Sequence, residues 1–242
     1  MGRRAATAAA AGALCAAAAL AGAAGARPAA GGGALALGAP PPRVGVFYES
    51  ECPGCRDFIE HMLLPALGQG LGDAVDLEMV PYGNAKHVAG GGIKCQHGPL
   101  ECTLNRWEQC ALGMYGRDNA LPFIFCLEDS SADPSEDKAR SCATRLGYDA
   151  GALEACTTSE QGDLYERSAG AITDALQPAH TWVPWVTVDG ENVCKSDGCD
   201  SFVPTVCQAL KARKQPLPEL CQQQEQPAER NPEFPGACPK EA

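Results

Sequence analysis

Basic residues are scarce in this chain. Against 30 Asp and Glu stand only 19 Lys and Arg, a net charge of -11 over 242 residues. A surface of that sign repels phosphate, which excludes a nucleic-acid partner and argues against an anionic membrane surface. Beyond the N-terminus no apolar run approaches the roughly 20 residues that a membrane-spanning helix requires. No internal repeat is visible, and no N-x-[ST] sequon occurs; Asn192-Val193-Cys194 is the nearest approach to one. Cysteine, by contrast, is abundant. Fourteen are too many for a reduced cytosolic enzyme without metal, and they suit an oxidising compartment where bridges persist.

The N-terminus agrees with that compartment. Arg3-Arg4 precedes an Ala-rich apolar run through Leu20, and Ala24 and Ala26 are placed as an A-x-A cleavage signal, so residues 1–26 read as a secretory signal peptide. An organelle transit peptide is the alternative. Cleavage after Ala26 removes Arg3, Arg4 and Cys15, taking the charge to -13 and the cysteines to 13. An odd count requires at least one free thiol or an intermolecular disulfide. Residues 27–43, rich in Gly, Ala and Pro, read as a flexible linker. Residues 44–214 should form the folded domain, and the Pro- and Gln-rich stretch 215–242 an unstructured tail that Cys221 and Cys238 could staple to the body.

Within the domain, Val44–Tyr48 has strand character, and Phe58, Ile59, Met62 and Leu63 then repeat at helical spacing, with Pro65 expected to kink or end the helix. Val75, Leu77 and Met79 alternate as in a half-buried strand. Helix is expected from Cys102 to Tyr115, with Leu104, Trp107, Ala111 and Met114 on one side. Pro122–Cys126 should begin another, and Pro134–Pro178 should be helical in two or three pieces, Leu164, Ile172 and Leu176 marking the last apolar face. Trp182–Val188 reads as a strand entering a hairpin at Asp189-Gly190, and 201–214 as an amphipathic helix through Phe202, Val206 and Leu210. The first two strands should be parallel and the last two antiparallel. The fold class is α/β: a thioredoxin-like sheet with an inserted, disulfide-rich helical subdomain.

Cys52-Pro53-Gly54-Cys55 lies at the first strand-to-helix junction. A helix N-terminus favours a thiolate, the form that attacks a disulfide, and two intervening residues let the second sulfur reach back to resolve the adduct. The same tetrapeptide could bind metal or form an inert bridge. Pro184, at the start of a strand in a chain of this order, matches the loop that faces the redox pair in thioredoxin-like folds. Its peptide bond is expected to be cis, which frees the main chain of Val183 to pair with an extended substrate; an ordinary trans proline at a strand end is the alternative. Glu49, Glu51 and Asp57 flank Cys52, and as carboxylates they oppose thiolate formation except where acid neutralises them. His61 reads as a helix-surface residue and His180 as a packing residue.

The run Cys95-Gln96-His97-Gly98-Pro99-Leu100-Glu101-Cys102, continuing to Asn105 and Cys110, resembles the signature of the gamma-interferon-inducible lysosomal thiol reductase family. Val80–Ala85 and Pro184-Trp185-Val186 are similar to it as well. The resemblance covers roughly Val44 to Cys207. It implies a thioredoxin-like fold with a helical insertion, and reduction of disulfides in partly unfolded protein substrates. The setting would be an acidic endolysosomal compartment or the extracellular space. Cys52 would attack, Cys55 would resolve, Val183 and Pro184 would hold substrate, a thiol reductant would donate electrons, and no cofactor or metal would be needed. The missing sequon departs from family members sorted through N-glycans. Zinc at Cys95, His97, Cys102 and Cys110 is an alternative that lacks paired C-x-x-C knuckles; in it, as with structural disulfides, His97 and Glu101 would serve the insertion rather than the substrate. Two other functions stay open: a disulfide oxidase or isomerase, since sequence does not set reduction potential, and a non-catalytic secreted binding protein stapled by disulfides.

Overall fold

Valines on β1 (Arg43–Tyr48) and its neighbours explain where the core begins. In the computed structural model, which describes residues 39–223 and 234–241, β1 is buried along its length after Arg43 and lies inside a four-stranded sheet of order β2-β1-β6-β7. The expected leader, residues 1–26, lies outside the described residues, as does most of the linker. After β1 the chain turns into α1 (Pro53–Phe58), a π-helical turn (Ile59–Leu63), α2 (Leu64–Ala66) and a second π-helical turn (Leu67–Leu71). Pro65 does not end this helix. The wider π turn stands directly ahead of it, where an α turn would drive the ring against the carbonyl four residues back. The break comes at Gln69 and Gly70, the latter with φ +92°. The chain then returns as β2 (Asp76–Pro81), parallel to β1 with Val44 opposite Leu77 and Val46 opposite Met79.

A short hairpin of β3 (Lys86–His87) and β4 (Ile93–Lys94) leads into the insertion: α3 (Pro99–Tyr115), α4 (Arg117–Glu128), α5 (Glu136–Leu146), α6 (Ala150–Thr157) and α7 (Glu160–Asp174). Ser135, Asp149 and Ser159 cap α5, α6 and α7, each side chain accepting a main-chain N–H of the first turn. Trp107 stacks on Phe123 at 6.3 Å in the centre, and Cys110–Cys156 and Cys126–Cys142 tie α3 to α6 and α4 to α5. Leu104, Trp107 and Ala111 are buried as expected, whereas Met114 is 40% exposed.

The face of α7 is not the expected one, although Leu176, just past the helix, packs partly buried against the cluster that holds Val80, Tyr82 and Trp185. Leu164 and Ile172 are 53% and 38% exposed, and Gly162, Glu166, Ala169, Gly170 and Thr173 turn inward instead. The reason is polar. Arg106 on α3 reaches Glu166 and Asp163 at 2.6 Å each and the Thr157 carbonyl at 2.7 Å. Gly170 leaves room for the Tyr82 ring, which a Cβ there would meet at 3.0 Å.

After β5 (Trp182–Val183), which lies outside this sheet, β6 (Trp185–Val188) and β7 (Glu191–Asn192) complete it. β6 runs antiparallel to β1, with Val46 opposite Val186. The β6–β7 turn has positive φ at both Asp189 (53°) and Gly190 (89°), the geometry a two-residue hairpin favours. Phe202, Val206 and Leu210 of α8 (Phe202–Ala212) pack inward, Phe202 edge-on to Phe58 at 5.4 Å. Within the stretch read as an unstructured tail, α9 (Glu219–Gln223) is held to α8 by Cys207–Cys221, and β8 (Cys238–Pro239) pairs antiparallel with β5.

Candidate redox centre

The end of β1 delivers Cys52 to the N-cap of α1, with φ -74° and ψ 118°, and its carbonyl accepts the N–H groups of Cys55 (3.0 Å) and Arg56 (3.1 Å). Cys55 follows in the first turn, as its spacing requires. The two sulfurs are not bonded to each other. Cys52 is joined to Cys238, 186 residues away, and Cys55 is the free cysteine among the described residues, which accounts for the odd count. Cys52 and Cys55 are both fully buried, because β8 lies over Cys52.

The Val183–Pro184 bond is cis. The Val183 carbonyl oxygen lies 3.7 Å from Cys52 Sγ, and Val183 sits opposite Cys238 in the β5–β8 ladder. The Val183 carbonyl therefore stands beside the sulfur of Cys52, with Pro184 next in the chain, and the main chain of Val183 is already engaged by an extended strand.

The signature residues surround the same point. Cys95–Cys102 closes the loop ahead of α3 and, with Cys110–Cys156, removes the thiolates that the zinc alternative needs. Asn105 Oδ1 accepts from Ser50 N at 3.0 Å, and Ser50 Oγ donates to the Glu101 carbonyl at 3.3 Å, fastening the turn before Cys52 to α3. His97 Nδ1 is 2.5 Å from Glu101 Oε2 and 3.6 Å from Glu49 Oε2. Glu49, His97 and the Cys238 sulfur lie within 4.8 Å of one another. With that sulfur committed to Cys52, one imidazole and one carboxyl are left, too few for a zinc site.

Burial sets the protonation here. Glu49 is pushed up to about 9, by desolvation first and then by the charge of Glu101, against the N–H of Asn84 donated to it at 2.5 Å. Burial likewise pushes the Cys55 thiol well up, with Glu49 adding to it, although the Glu49 N–H lies 3.5 Å from its sulfur. The helix terminus thus does not dominate at Cys55. Glu49 is neutral near pH 7, so the expected carboxylate opposition does not come from it in that range; Glu51 and Asp57 are also raised, by burial first. Deeper in, Glu108 is raised to about 7 and Glu128 well above the usual carboxylate range, both by burial. His61 is exposed on its helix beside Asp57, and His180 is buried and lowered to about 4 by desolvation and then by Lys240.

Sequence reasoning placed Cys52, Cys55, Val183 and Pro184 in one site, and the structure brings them together. It named Glu49 only as a charge flanking Cys52, and it missed Asn84, Gln96 and Cys238 as parts of the site. The family-like runs around Asn84 and Gln96 were the available signal for two of them; nothing local marks Cys238.

A family model described as gamma interferon inducible lysosomal thiol reductase (GILT) matches residues 43–146. The gamma-interferon-inducible lysosomal thiol reductase of Carassius auratus is 35% identical over 196 residues, covering 78% of this chain and 75% of that protein. The Mus musculus protein of the same name is 33% identical, covering 76% and 73%. The structure of BdbD from Bacillus subtilis superposes with a TM-score of 0.55 at 13% identity, over 71% of this chain and 88% of that one, a likeness of fold that is thioredoxin-like. On this sequence relationship, the chain belongs to the gamma-interferon-inducible lysosomal thiol reductase family.

Proposed function

We propose that this thiol–disulfide oxidoreductase reduces disulfide bonds in protein substrates through Cys52 and Cys55, with Val183 and Pro184 holding the substrate strand. Cys52 as thiolate attacks one substrate sulfur, forming a mixed disulfide and releasing the other sulfur as a thiol. Cys55, deprotonated, then attacks Cys52 Sγ. A Cys52–Cys55 bond forms, the mixed disulfide breaks, and the second substrate sulfur leaves with the proton. A small-molecule thiol donor returns two electrons to the pair. The observation that carries this reading is the position of Cys52 Sγ: at a helix N-cap, 3.7 Å from the Val183 carbonyl beside the cis proline, with a free Cys55 one turn on. An acidic endolysosomal compartment or the extracellular space is the setting we assign, on the strength of the disulfides and the buried neutral carboxyls. Insulin reduction by chain pre-reduced with excess thiol, followed at pH 5 and pH 7, tests the assignment. Cys52→Ser should abolish turnover at both; a Cys52→Ser chain that reduces insulin as fast as the unaltered one overturns it.

A further inference from the structure

We propose that residues Gly236–Glu241 are a resident pseudo-substrate, an extended strand that fills the peptide cleft of the redox centre and is joined to Cys52 through Cys238. The same cleft would take extended, cysteine-bearing peptides by their main chain. This rests on the assignment of Cys52 as the attacking sulfur and adds what that sulfur is bonded to at rest.

The contacts made by the segment are those of a bound peptide. Val183, the residue before the cis proline, pairs with Cys238 itself, and Trp182 with Pro239. Ala237 N donates to the Ser196 carbonyl (3.2 Å) and Lys240 N to the Thr181 carbonyl (2.9 Å). Asn84 Nδ2 donates to the Cys238 carbonyl (3.2 Å), Gln96 Nε2 to the Pro239 carbonyl (2.8 Å) and Lys86 Nζ to the Glu241 carbonyl (2.9 Å). Each of these bonds reads main chain, so the cleft selects an extended strand with a cysteine at the Cys238 position and tolerates varied side chains elsewhere. Gly54, inside the C-x-x-C, is the floor: a Cβ there would stand 2.2 Å from the Gly236 carbonyl oxygen. Asn84 Nδ2 also donates to Gln96 Oε1 at 2.6 Å, so the two amides hold each other in place for the strand.

The cap is covalent and self-supplied. Cys207–Cys221 anchors the chain 17 residues before Cys238, so the segment competes with any substrate as an intramolecular ligand. While Cys52 is bonded to Cys238 it has no thiolate to offer. Two routes open the cap. A small-molecule thiol can reduce the bond, its own sulfur being oxidised. Alternatively Cys55 attacks Cys52 Sγ: a Cys52–Cys55 bond forms, Cys52–Cys238 breaks, and Cys238 leaves with the proton that Cys55 gives up, with no net electron transfer. Glu49 and His97, within 4.8 Å of the Cys238 sulfur, stand where that proton has to travel.

The test uses the full chain purified without reductant. Peptide mapping under non-reducing conditions should recover the Cys52 peptide linked to that of Cys238. Insulin reduction started with limiting thiol should show a lag in the unaltered chain and none in Cys238→Ser, whose initial rate should be about tenfold higher. Lys240→Pro removes the N–H given to Thr181 while keeping the sulfur, and should shorten the lag; folding of each variant is checked by circular dichroism. If Cys238→Ser and Lys240→Pro keep the lag of the unaltered chain, or Cys52 maps to Cys55 instead, the pseudo-substrate is overturned. If Cys52→Ser is as active as the unaltered chain, the assignment of Cys52 falls instead.

Discussion

The main-chain N–H of Glu49 points at the sulfur of Cys55, 3.5 Å away, while the carboxyl of the same residue is buried beside the redox loop and held protonated up to about pH 9. One residue thus offers the resolving sulfur a hydrogen bond and, once ionised, an opposing charge. Glu49→Gln keeps the first and removes the second. In a Cys52→Ser, Cys238→Ser background, which leaves Cys55 without either sulfur partner, the alkylation of Cys55 against pH should move down by about one pH unit on adding Glu49→Gln. Little change is expected below pH 7, where the carboxyl is already neutral. An unchanged profile, or a loss of reactivity confined to acid, would remove Glu49 from this role.

Buried carboxyls also set the pH dependence of stability. A carboxyl whose folded value lies above its unfolded one of about 4.5 stabilises the fold fully below that value. The contribution shrinks as pH rises and is gone once pH has passed the folded value. For Glu108 that window runs from about 4.5 to about 7, and for Glu49 to about 9, with Glu128 acting in the same direction. His180, lowered to about 4, works oppositely and costs stability only as pH falls below its usual 6.5. The chain should therefore melt at a higher temperature near pH 5.5 than at pH 8, by on the order of 5 °C. Glu108→Gln should narrow the difference. Melting temperatures that rise towards pH 8 would contradict the buried, protonated state of these groups.

Arg106 is the polar joint of the insertion, bonded to Glu166, Asp163 and the Thr157 carbonyl. Removing it leaves Glu166 buried and uncompensated, the costly half of breaking an ion pair. Arg106→Ala should lose about 3 kcal/mol in denaturant unfolding. Arg106→Lys should recover only part of this, since an ammonium cannot serve three partners in one plane. A loss below about 1 kcal/mol, the value typical of an exposed pair, would mean that water replaces the guanidinium.

This joint also shows where sequence reading stops. β1, the Asp189-Gly190 hairpin and the Phe202, Val206, Leu210 stripe were legible because each is specified within a few residues: a valine run, a turn that needs two positive φ values, a helical period. The inward face of α7 was not. Leu164 and Ile172 carry the apolar signal, but Arg106, some 60 positions earlier, supplies a partner that draws Glu166 inside and leaves the leucine in water. The redox centre divides the same way. Cys52 and Cys55 announce themselves by spacing, and Pro184 by its place in the order of elements. Cys238 lies 186 residues from its partner in a stretch whose composition argues against structure, and it is contacts distant in sequence that order it: the bond to Cys52, the pairing with Val183 and the amide of Asn84.

That last point changes how the resolving thiol has to be tested. In a chain whose Cys52 were simply free, Cys55→Ser alone should accumulate a mixed disulfide with substrate, because nothing remains to release it. Here Cys238 stands beside Cys52 on the strand that substrate would use. Cys55→Ser by itself should return to the Cys52–Cys238 bond, expelling the substrate in place of the missing thiol, and little adduct should be seen. Cys55→Ser combined with Cys238→Ser removes both sulfurs able to attack Cys52. The double variant, reduced and then exposed to a disulfide-bonded protein, should hold that protein covalently, visible as a mass increase on non-reducing gels that thiol reverses. Adding Cys52→Ser should abolish it. If Cys55→Ser alone traps as much substrate as the double variant, Cys238 does not compete at the centre. If the double variant traps none, Cys52 is not the attacking sulfur.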